Sequence, residues 1–199
     1  MHQYSAAVNN GRLDNVEVTI GTAPLLRFFT GAPPANCAAA STGTQLASQA
    51  LPSDWAQAAS GQQKLKSVAA WTGTFSATGV VGYYRLFDNA GTTCHEQGTV
   101  TAQVQIATNA LTAVNGNVLN FASTTGVAVG MNVSGTGIPA GAEVVALTGT
   151  TVTLSRTSTA GVASAATITF GGDMTIDNVN AASGQAWTVN TFTKIASNQ

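Results

Sequence analysis

The stretch VVGYYRLFDNAGTTCHEQGTVTAQVQI, Val80 to Ile106, decides how the chain is read. Its first part, VVGYYRLFD, is dense in β-branched and aromatic residues, and its second alternates through Val100, Ala102, Val104 and Ile106. Both patterns predict strands, because successive side chains of a strand point to opposite faces of a sheet. Asp88-Asn89-Ala90-Gly91 between them has the residue types of a hairpin loop.

The second strand carries a thiol, an imidazole and a carboxylate in a row, Cys94, His95 and Glu96. Strict alternation puts Cys94 and Glu96 on one face and His95 on the other, so the triplet does not converge on one ion or substrate. A structural zinc takes four ligands, and the remaining Cys and His are Cys37 and His2. No two of Cys37, Cys94, His2 and His95 have finger-like spacing. We therefore expect no metal, with Cys94 buried beside Cys37 and His95 exposed.

Other chemistry is equally sparse. No GxSxG-type elbow accompanies the serines, and His95 is the one candidate base for a nucleophile. Carboxylates for glycoside hydrolysis would come from Asp54, Asp88, Glu96, Asp173 or Asp177. Asp173 and Asp177 flank DMTIDN on one side and read as turn residues at its ends. VSGTGIPAGA lacks the Lys-Ser/Thr of a phosphate loop and precedes no helix, so it reads as a turn. Trp55, Trp71, Trp187, Tyr83 and Tyr84 are candidates for a carbohydrate-stacking platform. Adjacent Tyr83 and Tyr84 face opposite ways, which predicts one of them at a surface or interface. The expectation is no catalytic residue, no cofactor and no enzyme.

Outward from this centre, SAAVNNGRLDNVEVTIG has loosely helical apolar spacing broken by Asn9-Asn10-Gly11, and predicts a short helix or an extended arm. Leu25 to Thr30 is a compact apolar strand, and GAPPANCAAASTG is a loop because of Pro33-Pro34. LPSDWAQAASG predicts one or two helical turns capped by Ser53 or Asp54. After Gly171-Gly172, DMTIDNV and QAWTVNTFTKI alternate cleanly, with Met174, Ile176, Trp187, Val189 and Phe192 as core candidates.

Between them charge nearly vanishes: from Ala107 to Phe170 the charged residues are Glu143 and Arg156. This segment is a series of short strands bounded by glycine, with Asn115-Gly116 as its hairpin signal between LTAV and VLNF. It reads as a small barrel or sandwich of residues 107–170 inserted into a host domain of residues 1–106 and 171–199. GTVTA and GGDMTIDN would then be neighbours in space. The fold class expected is all-β, a jelly-roll or β-sandwich host with a small inserted β domain.

Charged residues make up 8% of the 199 positions, with a formal net charge of −1 and a hydrophobic share of 44%. That balance excludes an extended basic surface for nucleic acid and does not resemble a disordered chain. It suits a neutral, hydroxyl-rich β surface whose association costs little desolvation of charge. No apolar stretch reaches the length of a membrane span, and the N-terminal run does not read as a signal peptide.

YSAAVNNGRLDNVEVTIGTAPLLRFFTGAPPANCAAASTG, GYYRLFDNAGTTCHEQGTVT and DMTIDN together resemble a family of small proteins of tailed phages, found among virion structural genes near the capsid protein. Residues 107–170, with VGMNVSGTGIPAGA, are similar instead to glycine-threonine β modules of phage surface proteins. The resemblance implies a capsid decoration, or cement, protein with a jelly-roll fold, assembled in the host cytoplasm and carried on the outer capsid surface. Its implied partners are the major capsid protein and further copies of itself, as a dimer or trimer, without nucleic acid or membrane. Within the N-terminal arm, Arg12, Leu13, Asp14, Val16 and Glu17 are the expected capsid contacts, and the insertion is expected to point outward. A receptor- or glycan-binding module on a head or tail fibre is the competing expectation.

Overall fold

In the computed structural model, which describes residues 4–196, the chain is mostly β, 43% strand, with one helix among the described residues. It divides into two units. One comprises residues up to Ala102 together with those from Asp173 onward, and the other is Gln103–Gly172. These boundaries lie slightly outside the expected 107–170, because the hairpin strand ends at Ala102 and Val104 begins a different sheet.

The larger unit begins with helix α1 (Ala6–Ile20), followed by β1 (Leu25–Thr30), β2 (Gln45–Ala50), β3 (Gln63–Leu65) and β4 (Thr72–Thr74). The central hairpin is β5 (Gly79–Phe87) and β6 (Cys94–Ala102). The inserted unit contributes β7 (Val104–Ala107), β8 (Val118–Asn120), β9 (Asn132–Ser134), β10 (Ala142–Leu147), β11 (Thr151–Leu154) and β12 (Thr167–Gly171). The chain then returns for β13 (Met174–Ile176), β14 (Asn180–Ala181) and β15 (Ala186–Ile195).

The larger unit forms one mixed sheet of nine strands, in the order β2-β1-β5-β6-β13-β15-β3, with β14 paired to β5 and β4 to β15. The β5–β6 hairpin is antiparallel, as its sequence predicts. Its turn is closed by Asp88, whose Oδ1 accepts from Thr92 N (2.8 Å) and Thr93 N (3.2 Å). Those bonds draw its carboxyl down to about 2. Strands β6 and β13 pair in parallel, Met174 opposite Val100 and Ile176 opposite Ala102. Parallel neighbours need a long crossover connection, and here the inserted unit is that connection.

The core of this unit is aromatic and aliphatic: Leu26, Phe28, Trp55, Trp71, Phe75, Tyr84, Met174, Ile176, Trp187, Val189 and Phe192 are all buried. Phe28 meets Trp187 edge-on at 4.9 Å, and Tyr84 meets Phe192 edge-on at 5.8 Å, the geometries that ring quadrupoles favour. The opposite face of β1 and β5 is also covered. Residues 31–44 lie over it as a flap, and Phe29 stacks on Tyr83 at 5.1 Å beneath them. Tyr83 Oη donates to Thr42 O (2.6 Å) and accepts from Thr42 N (2.9 Å).

Helix α1 starts at Ser5, whose side chain caps Val8 N, and stops at Gly21 with φ +86°. It runs straight through Asn9-Asn10-Gly11. Asn9 Nδ2 donates to Gln62 Oε1 (2.7 Å) and Asn10 Oδ1 accepts from Gln62 N (2.9 Å), so tertiary bonds outweigh poor propensity. The helical turns expected in LPSDWAQAASG are absent. That segment is extended, with Gln57 N bonded to Leu65 O and Ser67 N to Trp55 O, because its backbone pairs with residues 63–67.

The inserted unit is a curled, antiparallel half-barrel sheet of six strands in the order β7-β12-β9-β10-β11-β8. Its own core holds Leu119, Phe121, Val133, Val144, Val152, Leu154, Ile168 and Phe170. Asn115-Gly116 does form a turn, with Asn115 at φ +65° and Gly116 N bonded to Ala113 O. The flanking segments do not pair with each other, however. Thr112 bridges Val162, whereas β8 pairs with β11.

Candidate functional site

The three reactive residues of the central strand sit on a β-bulge. Leu86 faces Glu96 and Phe87 faces Cys94, so His95 is the extra residue. A bulge reverses the alternation beyond it. The expected sharing of a face by Cys94 and Glu96 is therefore corrected: Cys94 turns to the flap side, Glu96 to the core side, and His95 is exposed.

On the flap side, Arg85 is buried and its guanidinium makes three bonds. Nε donates to Cys94 Sγ (3.1 Å), Nη1 to Ser41 Oγ (2.8 Å) and Nη2 to Cys37 O (2.6 Å). The Cys37 thiol neighbours that of Cys94. Burial, then this neighbour, pushes Cys37 up to about 11 despite the opposing Arg85 charge.

On the core side, Tyr84 Oη donates to Glu96 Oε1 (2.7 Å), and Glu96 Oε2 pairs with Lys194 Nζ from β15. Strand β13 begins only at Met174, opposite Val100 and Phe192, so it does not reach between Glu96 on β6 and Lys194 on β15, which this ion pair joins directly. Gly98 makes room for Tyr84 and Asp173. A Cβ there would stand 2.7 Å from both Tyr84 Cε1 and Asp173 Oδ2. Burial raises Tyr84, and the charge of Asp173 adds to the effect. Burial, then the charge of Lys64, works to lower Lys194, and the Glu96 carboxylate paired with it acts in the opposite direction.

A third polar group lies between α1 and the extended 52–58 segment, in a groove of about 570 Å³ lined by Asp14, Glu17, Asp54 and Lys64. Lys64 is only 2% exposed and donates to Asp14 Oδ1 (2.9 Å) and Gln57 O (2.8 Å), with Glu17 Oε2 at 2.9 Å. Burial alone would lower this lysine, but the two carboxylates outweigh it and raise it. The same bond to Lys64 lowers Asp14.

The expected N-terminal contact residues are thus distributed over a docked helix. Leu13 is buried, Val16 packs against the core, and Asp14 and Glu17 hold Lys64. Arg12 is exposed, over the ring of Tyr4 at 5.2 Å. Both carboxylates of DMTIDN bind backbone at the ends of β13. Asp173 Oδ2 accepts from Thr99 N (2.8 Å) and Asp177 Oδ1 from Thr188 N (3.0 Å). The five aromatic candidates form no platform: Trp55, Trp71, Trp187, Tyr83 and Tyr84 are all buried. The expectation of one surface tyrosine fails because the flap covers Tyr83.

VSGTGIPAGA is a pair of tight turns, with Ile138 N on Gly135 O and Ala142 N on Pro139 O. Among the described residues no three His, Cys, Asp or Glu side chains gather as metal ligands, and His2 lies outside them. No helix among the described residues is long and apolar enough to cross a membrane. The nearness of Cys94 to Cys37 is as expected, but the part of Arg85 in joining them and the Lys64 cluster escape sequence reading, since their members are far apart along the chain and carry no motif. Comparison with protein-family models, curated proteins and solved structures finds no match.

Proposed function

We propose that the chain is a phage virion structural protein, a capsid decoration protein that binds the outer capsid surface and stabilises the shell. One observation carries the reading. The side chains with chemical potential are engaged with one another or with backbone: Lys64 with Asp14 and Glu17, Arg85 with the two cysteines, and Glu96 with Tyr84 and Lys194. What remains outside is a neutral surface of Thr, Ser, Asn and Gln with scattered aliphatics such as Val18, Val68, Leu111 and Val129. A surface of this kind associates by shape and apolar contact rather than by charge. Binding only to the assembled shell shifts the assembly equilibrium towards it.

Within this reading the larger unit is a jelly-roll or sandwich, the inserted unit a small barrel-like module pointing outward, and the major capsid protein the partner. The outer face of α1, with Val8, Arg12, Asn15 and Val18 exposed, is its capsid contact. The alternative is a receptor- or glycan-binding module on a head or tail fibre, which would have to use the exposed aliphatics of the insertion, since Trp55, Trp71, Trp187, Tyr83 and Tyr84 are buried. Quantitative mass spectrometry of purified virions separates the two. A copy number commensurate with the capsid protein supports decoration, and one matching a tail component overturns it.

A further inference from the structure

The chain has two cysteines, and the fold brings them together from separate parts. Cys37 belongs to the flap and Cys94 opens β6, yet Arg85 binds both, Cys94 Sγ at 3.1 Å and Cys37 O at 2.6 Å, and the two thiols are neighbours, both unbonded and partly buried. Two features produce the meeting. The bulge at His95 turns Cys94 away from the core and towards the flap. Arg85 then holds the strand cysteine by its sulfur and the flap cysteine by its backbone carbonyl, through one rigid guanidinium. Further bonds position the flap independently, from Gln97 Nε2 to Pro34 O and from Tyr83 Oη to Thr42 O.

We propose that Cys37 and Cys94 are a reversible dithiol–disulfide pair that fastens the 31–44 flap to strand β6. The inference does not depend on the virion reading. The oxidant is a low-molecular-weight disulfide such as oxidised glutathione. The Cys94 sulfur, beside the Arg85 cation, attacks one sulfur of that disulfide. The S–S bond breaks, one glutathione leaves as thiolate, and a mixed disulfide remains on Cys94. Cys37 then loses its proton to the departed thiolate and attacks the Cys94 sulfur, and the second glutathione leaves and takes up the proton freed from Cys94. Two protein thiols are oxidised, and one glutathione disulfide is reduced to two thiols. Cys37 is the poorer first nucleophile because burial and the neighbouring thiol push it up, and blocking Cys94 removes the second of these effects. A reducing cytoplasm leaves the pair open, and an oxidising exterior closes it.

The test is equilibration of the folded protein in glutathione buffers of graded potential, followed by alkylation and non-reducing peptide mapping. The expected product is a monomer with a Cys37–Cys94 link, formed at a more reducing potential than in the urea-unfolded chain. Its thermal midpoint should be several degrees higher and return on reduction. Cys37→Ser should instead accumulate a stable glutathione adduct on Cys94. The proposal is overturned if both thiols stay free in the folded protein where the unfolded chain oxidises. Intermolecular dimers or adducts in place of the link overturn it too, as does a linked form no more stable than the reduced one.

Discussion

His95 adds one residue to β6, and that single addition decides what each of its neighbours touches. Without it Cys94 would face the core beside Glu96; with it the thiol meets Arg85 and the carboxylate meets Tyr84. Alternation in the sequence cannot reveal such a bulge, because the extra residue is defined only by its partner strand. Gly98 shows the same dependence. Gly98→Ala should lower stability by about 1–3 kcal/mol, since the new methyl must displace Tyr84 or Asp173. Urea unfolding would measure it, and an unchanged midpoint would show that the Tyr84 ring yields freely. Cys37 gives a pH prediction. Its folded value, about 11, lies above the ordinary 9 of the unfolded chain, so between the two the folded state binds more protons. Stability should therefore fall as pH rises from about 9 towards 11. Urea unfolding under reducing conditions at pH 8 and pH 10 checks the slope, which Cys37→Ser should flatten.

At the scale of elements, α1 and the 51–67 segment hold each other in place. The helix buries Leu13 and Ile20, leaves Val8 and Val18 outside, and so lacks the one-sided apolar stripe that makes a helix easy to recognise. Asn9-Asn10-Gly11 reads as a break locally, but Asn9 is fully buried and both asparagines grip Gln62. The facing segment reads as helical from Ser53, Asp54 and its alanines, yet its backbone donors are satisfied by Leu65 and Ser60–Gln63 partners instead. Lys64 is the ionic link between the two. Lys64→Met should lower stability by about 1–3 kcal/mol, because Asp14 and Glu17 lose their shared cation while remaining close together. Hydrogen exchange should show the loss concentrated in residues 6–20. Equal loss across β5 and β6 would mean that the helix does not depend on this cluster.

For the whole molecule, the connection between β6 and β13 governs how separable the inserted unit is. Ala102 lies opposite Ile176, while Asp173 precedes Met174 opposite Val100, so the two chain ends are offset by about three residues of strand, roughly 10 Å. Deleting residues 103–172 should leave the larger unit folded when Ala102 and Asp173 are joined by a short Gly/Ser linker, and should disrupt β13 when they are fused directly. Near-UV circular dichroism of the Trp55, Trp71 and Trp187 cluster, with a cooperative unfolding transition, reads the outcome. Failure of the linked form would show that the inserted unit is needed for folding. If the linked form also keeps its place on purified capsids, capsid contact belongs to the larger unit. The sequence by itself determined the β class, the central hairpin, the core positions Met174, Ile176, Trp187, Val189 and Phe192, and the charge-poor insertion, because these rest on local patterns of hydrophobicity and turn chemistry. Only the tertiary structure decided the parallel return of β13, the docking of α1, the burial of Tyr83 beneath the flap, and the grip of Arg85 on both cysteine segments. Each of these depends on partners distant along the chain, and the turn of Cys94 towards Arg85 depends also on a bulge that exists only when two strands are paired.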